Sequence, residues 1–243
     1  MRFIRSLLFA LLALPWTLLA GFTVTLFVIF PMRFRFAVIK AWRAVFMGVL
    51  CRYVLGLHYR VLGVENIPKT ASVIMSKHQS AWETVALQSV FPPLVFVLKK
   101  SLLWIPFLGW AFAAIKMILI DRGASRKAIL QVLTQGKERL NAGFWVLIFP
   151  EGTRIKPGEK GSYKSGGVHL AMKANVPIVP VAHNAGEFWA KNAFVKKAGI
   201  ITVSIGAPIA TDNQSADEIL KQCETWIEEE MQKISHIKTI KNH

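Results

Sequence analysis

The sequence is poor in acidic side chains and in cysteine. Its 243 residues include 14 Asp and Glu against 30 Lys and Arg, which gives a formal net charge of +16. The two cysteines, Cys51 and Cys223, lie far apart in unrelated contexts, so the sequence predicts neither a disulfide framework nor a cysteine metal site. A chain that is this basic and 53% hydrophobic is expected at an anionic membrane surface or with an anionic substrate.

Motifs of several other protein classes are also missing. The sequence contains no Gly-x-Ser-x-Gly elbow and no Gly-x-x-x-x-Gly-Lys-Ser/Thr loop, which argues against a serine hydrolase and against a P-loop NTPase. It has no zinc-finger spacing, no basic-region heptads and no RNP-type aromatic motif, so nucleic acid is not expected as a partner. No cluster of three metal ligands is recognisable, so no metal is expected.

A long apolar run stands near the start of the sequence. Residues 7–30 carry no charged side chain, and a helix of that length crosses a bilayer core of roughly 30 Å. After Pro31 and two arginines, residues 36–58 mix apolar side chains with cations, which is typical of an interfacial amphipathic helix. We therefore predict a two-helix membrane motif over residues 1–56, which either spans the bilayer or dips into one leaflet and returns. The larger excess of cations after the first run favours a catalytic domain in the cytoplasm.

Residues 57–243 have the pattern of an α/β domain. Apolar runs of strand length alternate with helical segments, and the runs lack a clean period of two. This pattern is typical of strands covered on both faces, so we predict a mostly parallel or mixed sheet flanked by helices. The predicted strands are 57–63, 71–75, 94–98, 115–120, 144–149, 176–181 and 200–205. The predicted helices are 81–90, 102–112, 125–141, 166–174 and 217–234.

Polar residues follow several of these strands. They are Lys77 and His78 after the second strand, Lys99 and Lys100 after the third, Asp121 and Arg122 after the fourth, and Glu151 to Arg154 after the fifth. If these strands are neighbours in one sheet, their ends meet at one edge, where α/β sheets bind ligands. Arg122 and Arg154 would then clamp a phosphate monoester, Lys100 would add charge, and Gly152 would let the backbone donate an N–H. The alternative for each arginine taken singly is a surface salt bridge.

His78 and Glu83 form a second candidate pair. Five residues correspond to about 140° of helix rotation, so the two side chains meet only if His78 is in the loop and Glu83 in the first helical turn. Ser80 supports that arrangement, because Ser80-x-x-Glu83 is a capping-box pattern. The alternative interpretation is that Glu83 only caps the helix and that His78 is an ordinary loop histidine.

Together these motifs resemble the glycerolipid acyltransferase family. His78-x-x-x-x-Glu83 is similar to the family's first motif, Asn-His-x-x-x-x-Asp, and residues 149–154 match its third, Phe-Pro-Glu-Gly-Thr-Arg. Residues 118–122 resemble the second motif and residues 176–181 the fourth, in the family's order, over roughly residues 57–206. The sequence departs from the family at Lys77, where Asn is usual, and at Glu83, where Asp is usual. Glutamate keeps the carboxylate and adds one methylene.

The resemblance implies an activity and a set of roles. The reaction would be acyl transfer from a thioester, acyl-CoA or acyl carrier protein, to the sn-2 hydroxyl of 1-acyl-glycerol 3-phosphate (a lysophosphatidic acid), giving phosphatidic acid for phospholipid biosynthesis. His78 would be the general base and Glu83 would hold its imidazole in the right tautomer. The residues implied in binding the acceptor's phosphate region are Arg122, Glu151, Gly152, Thr153 and Arg154.

The resemblance also bears on cofactors, partners and location. It implies no cofactor beyond the thioester co-substrate. The hydrophobic helix pair is similar to that of bacterial members, which implies a bacterial inner membrane, anionic lipids as neighbours and a catalytic domain facing the cytoplasm. Two alternatives stay open: an acyltransferase for another lysolipid, and a non-catalytic membrane lipid-binding protein with the family's fold.

Overall fold

The computed structural model describes residues 1–91, 93–121 and 125–237. Within them, seven strands form one sheet: β1 (Leu57–Leu62), β2 (Val73–Ser76), β3 (Leu94–Lys99), β4 (Ile118–Ile120), β5 (Trp145–Ile148), β6 (Ile178–His183) and β7 (Gly199–Ile205). The α-helices are α1 (Arg2–Leu26), α2 (Met32–Val45), α3 (Trp82–Val90), α4 (Leu108–Ala114), α5 (Ser125–Asn141), α6 (Gly166–Ala174) and α7 (Ala216–Ile234). Helix α2 continues as a π-type helix over Phe46–Leu55.

The sheet is mixed, as predicted. Its strand order is β1-β7-β6-β2-β5-β3-β4, and all neighbours are parallel except β6 and β7. Strand β2 lies at the centre between β6 and β5, and all four of its residues are buried. Helices cover the sheet, which explains the continuous apolar runs of the central strands.

The predicted strand boundaries are right to within two residues, except for one that is wrong by three. The strand predicted over 115–120 is only Ile118–Ile120, because Ile115 closes the last turn of α4. The prediction of one continuous helix over 102–112 is wrong. The segment consists of a 3₁₀ turn, Lys100–Trp104, and then α4, separated by Pro106 and by Phe107 at φ 61°. Proline lacks the N–H that a continuous helix needs and disfavours helical backbone just before it.

Helix α1 packs one face on the domain and exposes the other. With the following turn it covers Arg2–Ile29, which is long and apolar enough to cross a membrane by length and composition. Phe9, Ala13 and Val24 are buried in the core shared with the α/β domain. The outer face exposes large apolar side chains: Leu7, Leu8, Leu11, Leu12, Leu14, Leu18, Leu19, Phe22 and Leu26. The division into residues 1–56 and 57–243 stays a prediction, although Gly56, in the left-handed region at φ 67°, separates the helices from β1.

Helices α5 and α6 approach closely at Gly136. A Cβ at Gly136 would lie 2.5 Å from Cδ2 of Leu170, a fully buried side chain. Alanine is favoured over glycine inside a helix by about 1 kcal/mol, whereas overpacking costs about 1–3 kcal/mol. The cost of overpacking is the larger of the two, so the substitution is expected to destabilise the protein. We predict that Gly136→Ala lowers the free energy of unfolding by about 1 kcal/mol, as measured by chemical denaturation in detergent.

The control for this prediction is Gly166→Ala at the start of α6, where an added Cβ would meet nothing within 4 Å. We expect that variant to be neutral or slightly stabilised. Equal effects of the two substitutions would contradict the packing argument.

Candidate active site

The predicted convergence of strand ends is present in the fold. Strands β2, β5, β3 and β4 are successive parallel neighbours, so the segments that follow them leave the same edge of the sheet. The loop after β2 carries His78, and the loop after β5 carries residues 149–154. The two loops are joined directly, because the backbone N–H of Ile155 donates to the carbonyl of His78 at 2.8 Å.

His78 and Glu83 are in contact, as the spacing argument required. His78 lies in the loop and Glu83 in the first turn of α3, and His78 Nδ1 is 2.8 Å from Glu83 Oε1. The same oxygen accepts the backbone N–H groups of Gln79 at 3.0 Å and of Ser80 at 2.8 Å. Half of the predicted capping box is therefore present. The Ser80 hydroxyl accepts from Trp82 N rather than from Glu83 N.

The environment of Glu83 keeps it ionised. Burial acts to raise the pKa of this fully buried carboxyl. The hydrogen bonds that it accepts from His78 and from Ser80 N act against burial, and the pKa lies below its usual range. A carboxylate only accepts hydrogen bonds, so Nδ1 of His78 carries the proton that it donates to Glu83. The lone pair is then on Nε2, which is the state that a general base needs.

Two aromatic rings hold the histidine loop from other directions. The Phe149 ring stacks on His78 with centroids 3.8 Å apart and planes 13° apart. Behind the loop, Nε2 of the fully buried His183 lies 2.7 Å from the carbonyl of Lys77, and His183 Nδ1 accepts from Ala185 N. Burial lowers the pKa of His183, so its ring is neutral and donates from Nε2.

Glu151 is turned toward the histidine loop. Its Oε2 accepts the backbone N–H of His78 at 2.9 Å, and its Oε1 accepts from Lys77 Nζ at 2.7 Å. Burial raises the pKa of Glu151 above its usual range, although Lys77 and the His78 N–H oppose this. Both oxygens are thus used to hold residues 77 and 78, and a direct contact of Glu151 with a substrate stays a prediction.

The other predicted binding residues lie at the same edge. Gly152 is in the left-handed region at φ 68°, as the close turn after β5 requires. Thr153 is exposed and Arg154 is half-buried, and Lys191 Nζ donates to Thr153 Oγ1 at 3.3 Å and to the Arg154 carbonyl at 3.1 Å. Lys100 is exposed directly after β3. Arg122 lies outside the described residues.

Two cavities flank the histidine and its helix. The apolar cavity, about 410 Å³, lies between α1, α2, α3 and α4, and its lining includes Gly21, Trp42, Thr84, Ala111 and Arg154. The His78 cavity, about 570 Å³, is lined by His78, Phe149, Gly152, Lys164 and residues of α5 and α6. His78 and the start of α3 therefore lie between the apolar cavity, which reaches the N-terminal helices, and the His78 cavity, which is more polar and is lined by Lys164.

Sequence reasoning missed several residues of the site. His183 lies two residues after the predicted strand 176–181, so the signal used for the other strand ends was available for it. Phe149 belongs to the motif of residues 149–154, but its stacking on His78 was not predicted. Lys164 and Lys191 carried no comparable signal, because loop contacts depend on how strands are ordered. Cys223 is excluded as a nucleophile, since burial raises the pKa of its thiol to about 12.

Comparisons with known proteins identify the family. The model of the Acyltransferase family matches residues 58–184. The chain belongs to the acyltransferase family. The 1-acyl-sn-glycerol-3-phosphate acyltransferase of Pseudomonas aeruginosa is 43% identical over 99% of this acyltransferase and 95% of the relative. The enzyme of that name from Saccharomyces cerevisiae is 35% identical over 69% of this chain and 57% of its own.

A solved structure has the same fold. The crystal structure of the 1-acyl-sn-glycerophosphate acyltransferase from Thermotoga maritima matches this acyltransferase with a TM-score of 0.78, over 99% of this chain and all of that one. The sequence identity is 22%, so this likeness supports the fold alone.

The carboxylate of Glu83 can be tested through the acyl-transfer rate. We predict that Glu83→Gln lowers kcat by about 10³- to 10⁴-fold, because a neutral amide neither stabilises the imidazolium nor fixes the His78 tautomer. Steady-state rates of acyl transfer measure this effect. The exposed Glu65→Gln serves as the control and is expected to keep wild-type rates. A wild-type kcat for Glu83→Gln would show that the Glu83 carboxylate is not needed to orient His78.

Proposed function

We propose that this protein transfers an acyl chain from a thioester to the sn-2 hydroxyl of 1-acyl-glycerol 3-phosphate, giving phosphatidic acid. The observation that carries the proposal is the contact of His78 Nδ1 with the buried Glu83 at 2.8 Å, beside the cationic loop after β5. Membership of the acyltransferase family supports it, as does the Pseudomonas relative of that name, which matches over nearly its whole length.

The chemistry follows from the tautomer of His78. With the proton on Nδ1, Nε2 takes the proton from the acceptor hydroxyl while the oxygen attacks the thioester carbonyl. Glu83 stabilises the imidazolium that forms. The tetrahedral intermediate then collapses, the carbon–sulfur bond breaks, and the thiolate takes the proton back from Nε2. Because the alcohol of the substrate is itself the nucleophile, no covalent acyl-enzyme is needed.

The donor of a hydrogen bond to the developing oxyanion stays a prediction. A backbone N–H near the start of α3 is a candidate. Three of those groups are already used, since Gln79 N and Ser80 N donate to Glu83 and Trp82 N donates to Ser80.

Cationic side chains around residues 152–154 suit the acceptor's phosphate. A guanidinium can bind a phosphate monoester through two parallel hydrogen bonds, and we assign this role to Arg154, which is half-buried and lines the apolar cavity. Lys191 lies against the same loop and Lys164 lines the His78 cavity. We assign Lys100 to the same phosphate region, because it follows strand β3 at this edge. For Arg122 the assignment rests on the sequence alone, since residues 118–122 resemble the family's second motif.

The apolar cavity suits an acyl chain drawn from a bilayer. Helix α1 contributes Gly21 to this cavity and turns its outer, apolar face away from the domain. Beside it, the exposed Trp104 and the half-exposed Trp110 extend the apolar surface. Aromatic side chains of this kind are typical of the membrane interface. The site would therefore stand at headgroup depth on the cytoplasmic face of a bacterial inner membrane, against anionic lipids.

The first test is acyl transfer by purified protein in detergent. The acceptor is 1-acyl-glycerol 3-phosphate, and the donors are oleoyl-CoA and oleoyl-acyl carrier protein in separate assays. We expect the wild type to form phosphatidic acid, and His78→Ala to abolish turnover because the base is lost. Arg154→Ala should raise the acceptor KM by about tenfold and change kcat less, because a phosphate contact binds ground and transition states alike.

The other outcomes of this assay distinguish an acyltransferase for another lysolipid from a protein that only binds lipid. Transfer to another lysolipid, but not to 1-acyl-glycerol 3-phosphate, would preserve the mechanism and change the substrate. If no acceptor and neither donor gives transfer that depends on His78, the enzyme proposal fails and a lipid-binding function replaces it.

The apolar cavity gives a separate prediction about chain length. Ala111 lines the cavity from α4 and is buried, so Ala111→Phe fills part of the space. We expect kcat/KM for long-chain substrates to fall by about tenfold, and that for short chains to change less. The matched control is Ala113→Phe, two residues along the same helix but exposed, which should leave the chain-length profile unchanged. Parallel losses for all chain lengths would assign the cavity another role.

A further inference from the structure

The structure buries a lysine next to the histidine. The Lys77 side chain is 1% exposed, and its Nζ lies 2.7 Å from Glu151 Oε1 and 2.8 Å from Glu228 Oε1. Glu228 belongs to α7 and is separated from Lys77 by 151 positions. The hydroxyl of Tyr163 donates to the same Glu228 oxygen at 2.8 Å. One lysine thus bridges a carboxylate of the β5 loop and a carboxylate of the last helix.

This bridge reaches the main chain of His78 through Glu151. One Glu151 oxygen binds Lys77 Nζ, and the other accepts the backbone N–H of His78. The position of the Glu151 carboxylate therefore sets the position of the peptide that carries the imidazole. The His78 ring depends on that peptide to keep Nδ1 on Glu83.

The main chain of Lys77 is held as well. Its N–H donates to the Val181 carbonyl at 2.9 Å, and its own carbonyl accepts from His183 Nε2 at 2.7 Å. The backbone of Lys77 is consequently fixed to β6, and the side chain extends from this fixed backbone to Glu151 and Glu228. Fixed backbone, buried ammonium and two carboxylates make this a rigid cluster.

We propose that Lys77 is a positioning residue for the acyl-transfer reaction and that Glu228 of α7 holds it by an ion pair. Lys77 touches no reacting atom. It fixes Glu151, which fixes the His78 peptide, and it makes α7 a structural part of the catalytic loop. The proposal rests on the proposed function, because positioning is defined here by its effect on acyl transfer.

The charges of the cluster explain why Lys77 is needed when Glu151 and Glu228 are both present. Lys77, Glu151 and Glu228 together carry one positive and two negative charges, a net charge of −1 in a largely buried space. With a neutral residue at position 77, two carboxylates would face each other without a cation, which is costly in the interior. With a neutral residue at position 228 as well, the net charge returns to −1. Lysine at 77 and glutamate at 228 therefore form a matched pair.

This pairing accounts for one departure from the family motif. In the resembling proteins Asn is usual before the histidine, and a neutral Asn needs no second carboxylate. Here the cation at 77 is accompanied by an acid on a helix distant in sequence. Loss of the cation at 77 should therefore be harmful alone and tolerated when Glu228 is neutralised as well.

The test is a double-mutant cycle with Lys77→Asn, Glu228→Gln and the combined protein. We expect Lys77→Asn to lower kcat by at least about tenfold per folded enzyme, with KM for either substrate within about twofold, because the imidazole shifts without loss of a substrate contact. Glu228→Gln should cost less, since Gln still accepts hydrogen bonds. The combined protein should recover most of the kcat that Lys77→Asn loses.

The control is Glu224→Gln, one turn earlier on α7. Glu224 pairs with the half-exposed Lys160 at 2.6 Å, so this variant breaks an ion pair of the same helix outside the cluster and should keep the wild-type rate. The folded fraction of every variant is measured by thermal unfolding at the assay pH. Rates are then expressed per folded protein.

The outcomes separate the two proposals. A wild type without transfer to 1-acyl-glycerol 3-phosphate contradicts the proposed function. The cluster is then judged by unfolding temperature, where Lys77→Asn should be lowest and the combined protein close to wild type. If Lys77→Asn keeps its kcat per folded enzyme, or if the combined protein does not recover, the positioning role of Lys77 is overturned.

Discussion

The catalytic loop depends on one buried oxygen, Oε1 of Glu83. It accepts from His78 Nδ1 and from the N–H groups of Gln79 and Ser80, so three donors of one short segment converge on it. The three donors outweigh the cost of burying the carboxylate and favour its charged form, so its pKa lies below the usual range. The interaction that shapes the loop is therefore also the one that gives the imidazole its basic nitrogen.

Two buried glutamates near His78 differ in what surrounds them. Hydrogen bonds from the loop keep the pKa of Glu83 low despite burial, whereas burial raises that of Glu151 despite the contact with Lys77. Glu83 acts on the ring of His78, and Glu151 acts on its main chain. Glu151 of the motif after β5 thus supports the histidine from behind, while Thr153 of the same motif is exposed and Arg154 is half-buried.

The N-terminal helices belong to the same physical arrangement. Helix α1 packs against α4 near Gly21, where an added Cβ would lie 3.2 Å from the Phe107 carbonyl. This close approach brings the apolar cavity next to α3, whose first turn carries Glu83. On the proposed function, a lipid chain in this cavity would lie against α3.

Much of this protein was predictable from its sequence because the signals are local. Apolar runs marked the strands, a capping pattern placed Glu83 within reach of His78, and residues 149–154 indicated an acyltransferase. Only the tertiary structure decided which strands are neighbours, and so which distant groups meet. His183 approaches Lys77 because β6 pairs with β2, and Glu228 reaches Lys77 because α7 packs against β6. Periodicity and motifs report on residues a few positions apart, whereas contacts across more than a hundred positions depend on strand order and on packing in the core.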